Sequence, residues 1–136
     1  MDSFDADVVI YAAIAEHDLG QRVRDLFEVA EKSDRSVGIG SVLLIPELLT
    51  KPIRTQDDLQ LAALAPLLSR IELLPVDDAT ARLAVALGAK YGLRAADAVH
   101  LATGVKAGAD RFITNNSKDF ASDISEISVT YPGDGL

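Results

Sequence analysis

Val37-Gly38-Ile39-Gly40-Ser41-Val42-Leu43-Leu44-Ile45-Pro46-Glu47-Leu48-Leu49 holds the change of period on which the fold turns. Val37 to Gly40 reads as a short strand. Ser41 reads as the N-cap of a helix running to about Thr50, with Pro46 as its weak point because proline removes a donor from the helical ladder. A strand feeding straight into a helix is the unit of an α/β protein, and the unit recurs on both sides. Upstream, Val8-Val9-Ile10-Tyr11, which follows Phe4-Asp5-Ala6-Asp7, reads as a short strand turning into a helix. Leu19, Val23, Leu26, Phe27 and Ala30 then recur at three- and four-residue steps, the spacing of an amphipathic helix. Downstream, Thr55-Gln56-Asp57-Asp58 opens a helix that carries Leu59, Ala62, Ala63 and Leu67 along one side. Ile71 to Val76 is a β-rich run. Asp77 or Asp78 caps an Ala-rich helix that reaches about Tyr91 and stops at Gly92. Arg94 to Lys106 is a further Ala-rich helix, ended by Gly108, and Arg111–Thr114 and Ile127–Tyr131 read as the last strands. The alternation predicts the α/β class: a three-layer α/β/α sandwich around a short, mainly parallel sheet. It forms one domain over residues 1–136, with a core from about 3 to 131 and a loose tail from Pro132 to Leu136.

Composition removes several classes of function. The length suits one domain, and a chain that is 49% hydrophobic and 25% charged has the apolar surface to build a core, which excludes a disordered protein. With no Cys there are no disulfides, thiolate zinc sites or cysteine nucleophiles, and two His cannot make a histidine-rich metal cage. No apolar stretch approaches the length of a membrane span, and the N-terminus Met1-Asp2-Ser3-Phe4-Asp5 is acidic where a secretory signal is basic; a cytoplasmic protein without membrane association is expected. A net charge of −8 disfavours non-specific binding to nucleic acid. It leaves room for a nucleic-acid enzyme that gathers its acids in one metal-binding cleft.

Three acids interrupt the apolar pattern. Glu47 lies within the least polar stretch of the chain. Asp97 sits in Ala95-Ala96-Asp97-Ala98-Val99, flanked at helical steps by Leu93, His100 and Leu101. Asp5 ends the first strand beside Phe4. An ionised carboxylate in apolar surroundings costs several kcal/mol unless it is paired or bound to a metal. Arg94 and Lys51 are the nearest basic residues in the chain. Each acid also has an ordinary reading: Asp5 and Asp7 as helix caps, Glu47 on a half-exposed helix edge, Asp97 paired with Arg94 one turn earlier. In a parallel α/β sheet, however, strand ends converge on one crevice. Carboxylates meeting there repel one another unless a hard cation such as Mg²⁺ or Mn²⁺ joins them.

Four segments together resemble the PIN-domain family of metal-dependent ribonucleases, which includes the VapC-type toxins of bacterial toxin–antitoxin pairs. Phe4-Asp5-Ala6-Asp7-Val8-Val9-Ile10-Tyr11 is similar to the family's opening strand with its first metal-binding Asp. Ser41 to Leu48 is similar to the helix that supplies the Glu. Leu93-Arg94-Ala95-Ala96-Asp97-Ala98-Val99-His100-Leu101-Ala102 resembles the segment with the third acid, and Arg111 to Phe120 resembles the strand and turn that bring the fourth polar residue. The resemblance implies that Asp5, Glu47 and Asp97 bind Mg²⁺ or Mn²⁺, and that Asn116 completes the catalytic set by holding water. It also implies an RNA substrate, a homodimer and a small antitoxin partner. Two positions depart from the family's pattern: Asp7 stands where Asn is frequent, and Asn116 stands where many members have Asp. Asp119 is a second candidate for the fourth acid, although a surface position is the favoured reading for it. His100 reads as a buried imidazole hydrogen-bonded within the fold rather than a ligand, and His17 as solvent-exposed.

The leading expectation is therefore an endoribonuclease that uses a metal-activated water, acting as a toxin. The alternative is a PIN-like binding or regulatory protein with a weakened site. A nucleotide-binding α/β protein ranks last, since no Gly-rich phosphate loop of the G-x-x-x-x-G-K type is present.

Overall fold

The computed structural model describes all residues from Met1 to Leu136. Five strands, β1 (Asp2–Phe4), β2 (Gly38–Ser41), β3 (Ile71–Leu74), β4 (Arg111–Ile113) and β5 (Ser128–Thr130), form one sheet in the order β3-β2-β1-β4-β5. Every neighbouring pair is parallel. Six helices cover the faces: α1 (Ala6–Ala13), α2 (Asp18–Lys32), α3 (Leu44–Arg54), α4 (Asp58–Ser69), α5 (Asp78–Tyr91) and α6 (Ala95–Lys106). This is the three-layer α/β/α sandwich.

Two apolar clusters show why the sheet needs cover on both sides. Phe4, Val8, Val9, Phe27, Leu44, Leu48 and Leu64 fill the layer under α1 to α4. Leu87, Leu101, Phe112, Phe120 and Ile127 fill the layer under α5 and α6. Phe112 and Ile113 are consecutive in β4 and belong to different clusters, as the period-2 alternation of a strand requires. The chain leaves β1 outward in both directions, to β2 on one side and β4 on the other. The carboxyl end of β1 is therefore the switch point, the usual ligand crevice of an open parallel sheet.

The local reasons differ from the sequence reading at several places. Val8-Val9-Ile10-Tyr11 is helical throughout, because Asp5 caps α1 by accepting from Ala6 N at 2.8 Å and the strand ends at Phe4. Ser41 is the last residue of β2 rather than the helix cap; its Oγ accepts from Leu43 N at 3.1 Å, and Leu43 takes the N-cap position. Pro46 thus falls in the first turn of α3, where a missing N–H costs nothing, and the helix continues past Thr50 to Arg54. In α4 the fully buried residue is Leu64, while Leu59 is 86% exposed. His17 is half-buried, not free in solvent: Nδ1 accepts from Gly20 N at 3.1 Å as the N-cap of α2, and the ring stacks on Tyr11. Gly92 ends α5 as anticipated, with φ +67° in the left-handed region. The tail is held rather than loose. Pro132 is buried in a short 3₁₀ turn, and Arg22 donates to the carbonyls of Pro132 and Gly133. No helix is long and apolar enough to cross a membrane.

Candidate active site

Asp5 follows β1 directly and is only 5% exposed. Besides the Ala6 N–H, its carboxylate accepts from Thr114 Oγ1 at 2.8 Å, and Thr114 Oγ1 in turn accepts from Asn116 N at 3.1 Å. Parallel pairing of β1 with β4 sets this up: Phe4 lies opposite Ile113, so the residues just beyond each strand meet. In the first turn of α1, Asp7 accepts from Asn115 N at 3.0 Å through Oδ2, while its buried Oδ1 has no partner. The neutral turn after β4 therefore holds two carboxylates in place.

Glu47 reaches the same point from α3 on the other side of β1. Its Oε2 lies 3.1 Å from Nε2 of the buried His100 in α6, an ion-pair contact without hydrogen-bond alignment, and His100 Nδ1 has no partner. Asp97 stands in the first turn of α6, where the helix dipole favours an acid. Asp5, Asp7, Glu47, Asp97 and Asn116, with Ala6 and Ile10, line one open cleft of about 350 Å³. A groove of about 370 Å³ between α5 and α6 is lined by small apolar side chains such as Ala84, Val85 and Gly88, and offers no group for chemistry.

The electrostatics of the cleft are unbalanced. Burial pushes the Asp5 carboxyl up, and its bond from Thr114 and the nearby imidazole only partly offset this. Burial and then the charge of Asp5 push Asp7 up to about 7. Asp97 is raised by burial and by the charges of Asp5 and Asp119. Burial acts to lower His100, but its contact with Glu47 and the field of Glu47, Asp5 and Asp97 win and hold it above the usual imidazole range. Four carboxylates thus have one imidazole, its proton affinity raised by them, as their basic neighbour in the cleft.

The three acids singled out from the sequence come to one cleft. The pairs suggested by chain proximity do not form: neither Arg94 nor Lys51 meets a carboxylate, and Glu47 turns to His100 instead. His100 is buried, as read, but neither ring nitrogen makes the hydrogen bond expected of it, and Nε2 lies against Glu47 instead. Asn116 lines the cleft, yet its amide is engaged: Nδ2 donates to Asp119 Oδ2 at 2.9 Å and Oδ1 accepts from Asp119 N at 3.3 Å. Asp119 is thereby half-buried beside the site instead of being a free surface residue. Two contributors carry little local signal. Thr114 looks like any strand-end threonine, and the burial of Asp7 depends on a segment more than 100 residues away (|i−j| = 108).

As placed, no three of the acidic or imidazole side chains converge closely enough to grip an ion. Asp5 is held by the Thr114 hydroxyl, Asp7 by the Asn115 N–H, and Glu47 lies against the His100 imidazole, an arrangement that keeps these like charges apart. The donor set nevertheless suits a hard divalent cation, being all oxygen and containing the orphaned, buried Asp7 Oδ1.

The family model of the PIN domain matches residues 4–123. No curated protein matches the sequence. Among solved structures, the chain is similar to a toxin–antitoxin complex from Klebsiella pneumoniae, at 22% identity and a TM-score of 0.69 over 95% of each chain. It is also similar to VapBC2 from Rickettsia felis bound to a DNA fragment from their promoter, at 16% identity and a TM-score of 0.74, covering 96% of this chain and 97% of that one. At these identities the likeness is one of fold.

Proposed function

Because the chain belongs to the PIN domain family, we propose that it is a metal-dependent endoribonuclease and the toxin of a toxin–antitoxin pair. The observation that carries this reading is the cleft at the switch point, where Asp5, Asp7, Glu47 and Asp97 gather with too few counter-charges and the proton affinity of Asp5, Asp7 and Asp97 is raised. Asp5, Glu47 and Asp97 would hold Mg²⁺ or Mn²⁺, and Asp7 Oδ1 would turn to the same ion. The ion supplies acidification of the attacking water and neutralisation of charge on the phosphodiester. The chain's own residues do the rest. Thr114 fixes the Asp5 carboxylate through a buried bond, His100 orients Glu47 from below, and the Asn116–Asp119 pair positions water at the rim. The likeness to a toxin–antitoxin complex from Klebsiella pneumoniae, and to VapBC2 from Rickettsia felis, supports a small antitoxin partner. An Arg from that partner would fit the acidic cleft by forking onto a carboxylate. A homodimer and a cytoplasmic location complete the reading.

RNA cleavage with Mn²⁺ tests it. Asp5→Asn and Asp97→Asn are each expected to abolish cleavage while leaving the circular dichroism spectrum unchanged; near-wild-type activity in either would refute the assignment. One observation favours the second reading, a binding or regulatory protein with a weakened site: the Asn116 amide is neutral and already occupied by Asp119. If that limits metal binding, Asn116→Asp raises cleavage at low Mn²⁺ and the gain disappears at saturation. If Asp119 supplies the missing charge, Asp119→Asn damages activity and Asn116→Asp does little.

A further inference from the structure

The outward side of α5 carries little that solvates it. Asp78, Arg82 and Lys90 are its charged residues, and Ala79, Ala81, Val85, Ala86 and Ala89 stand exposed among them. Helix α2 behaves differently: Gln21, Arg22, Asp25, Glu28, Glu31 and Lys32 occupy its exposed positions. A helix that is apolar on nearly every side belongs in an interior or an interface. Single exposed alanines are ordinary, but these adjoin the groove of about 370 Å³ between α5 and α6, lined by Ala81, Ala84, Val85, Gly88, Ala95 and Val99 among others. Val85 lines the groove and is still 73% exposed, so the face offers both a hollow and a knob.

The two ends of this face carry opposite charges. Asp78 opens α5, and its pair with Arg82 is an exposed i,i+4 contact of little energetic value. Arg94, exposed and in no ion pair, lies just past the other end of α5 at the start of α6. The helix is about 21 Å long, so the acid and the base stand about 20 Å apart along the face. A face with an acid at one end, a base at the other and a knob between matches itself when turned about a two-fold axis. The two α5 helices then run antiparallel. A net charge of −8 repels a second copy, and a face almost uncharged in its middle lets two such chains approach.

We propose that two copies of this chain associate through the α5–α6 face about a two-fold axis, with Val85 in the partner's groove and Arg94 against the partner's Asp78. The proposal rests on the homodimer in the reading above, to which it gives a face, and is independent of RNA cleavage. With the axes of α5 and α6 about 8–10 Å apart, the face measures about 20 by 20 Å. A footprint of roughly 400 Å² per copy is at the small end of specific interfaces, so the dimer is expected to come apart on dilution, with a dissociation constant of about 10 μM.

Sedimentation velocity of the full chain in EDTA and about 0.15 M NaCl, from about 1 to about 200 μM, tests this. Wild type is expected to pass from monomer to dimer over that range. Val85→Glu buries an unpaired charge twice per dimer and raises the dissociation constant at least about 30-fold. Arg94→Glu and Asp78→Arg each replace two attractions by two repulsions, an expected weakening of about tenfold. Mixing these two variants sets opposite charges against each other at both contacts, so a mixed dimer forms with about the wild-type constant. At about 1 μM, where wild type is also monomeric, the thermal midpoint of Val85→Glu matches wild type, because the side chain is exposed in the single chain. Leu59→Glu is the control: Leu59 is 86% exposed on α4, in the opposite helical layer, and the variant keeps the wild-type constant. A dimer that survives Val85→Glu, an equal loss in Leu59→Glu, or no recovery on mixing would overturn the proposed face and leave the homodimer standing. A wild type that stays monomeric at about 200 μM would overturn both.

Discussion

Two residues that do not stand out from the apolar pattern decide how the cleft behaves. Asp7 is held at about 7 against an ordinary 3.8, so the folded state binds its proton more tightly than the unfolded chain does. The cost of ionising it in the fold is absent below the unfolded value, grows as pH rises, and is complete above the folded value. Without metal, stability therefore falls between about pH 4 and pH 7. Asp7→Asn, whose amide can still accept the Asn115 N–H, is expected to raise stability by about 2 kcal/mol near pH 8 and by almost nothing near pH 4. Urea titrations at the two pH values check this, and equal gains at both would show that charge is not the cause. Thr114 is the second residue. Its hydroxyl bridges Asp5 and the Asn116 N–H, and it is fully buried. Thr114→Val strands both partners, with an expected loss of about 1–3 kcal/mol of stability. A larger proportional loss is expected in Mn²⁺ affinity, read by calorimetry. Asp5, Glu47 and Asp97 were legible because each breaks an apolar run. Thr114 was not, and of Asp7 only its place in the opening motif was, because their roles arise only when β1 and β4 pair.

At the scale of the elements, the contact between α1 and α2 rests on one close approach. A Cβ on Gly20 would lie 2.0 Å from the Tyr11 carbonyl oxygen, which is backbone and cannot swing away. In an exposed helix, replacing Gly by Ala is worth up to about 1 kcal/mol of propensity. Here Gly20→Ala is expected to cost about 2–3 kcal/mol net, since the helices must part and Arg24, which caps the end of α1 through the carbonyls of Ala12, Ile14 and Ala15, loses its seat. A thermal melt that matched wild type would mean that α2 shifts freely. Most helices were legible from three- and four-residue apolar spacing, together with caps such as Asp57 and Asp77 that accept from Gln60 N and Thr80 N. The first strand was not, because the β-branched Val8 and Val9 mimic a strand while the Asp5 cap makes them helical. The tail was misread for a related reason: its polar, Gly-rich residues give no local cue that Arg22 will bind them.

For the whole molecule, strand order is the property that local pattern leaves open. Alternation of strands and helices implies a parallel sheet, but only long-range packing puts β4 beside β1 and so brings Thr114 to Asp5. The same arrangement concentrates charge. Much of the net −8 stands away from the cleft, and any salt will relieve some of its self-repulsion. A metal effect must therefore be separated from screening. With Mn²⁺ at about 100 times its dissociation constant, a ligand that binds only the folded state adds about 2.7 kcal/mol, or roughly 10 °C in the midpoint of a domain this size. NaCl at matched ionic strength is expected to give only a small part of that shift. Asp97→Asn separates the contributions further. Removing one of four crowded carboxylates raises the midpoint in EDTA, because repulsion falls, and it removes most of the Mn²⁺ increment, because a ligand is lost. General screening would instead give the same shift with either salt and the same increment in the variant. Seeing that pattern would mean the acids meet in the cleft without binding metal there.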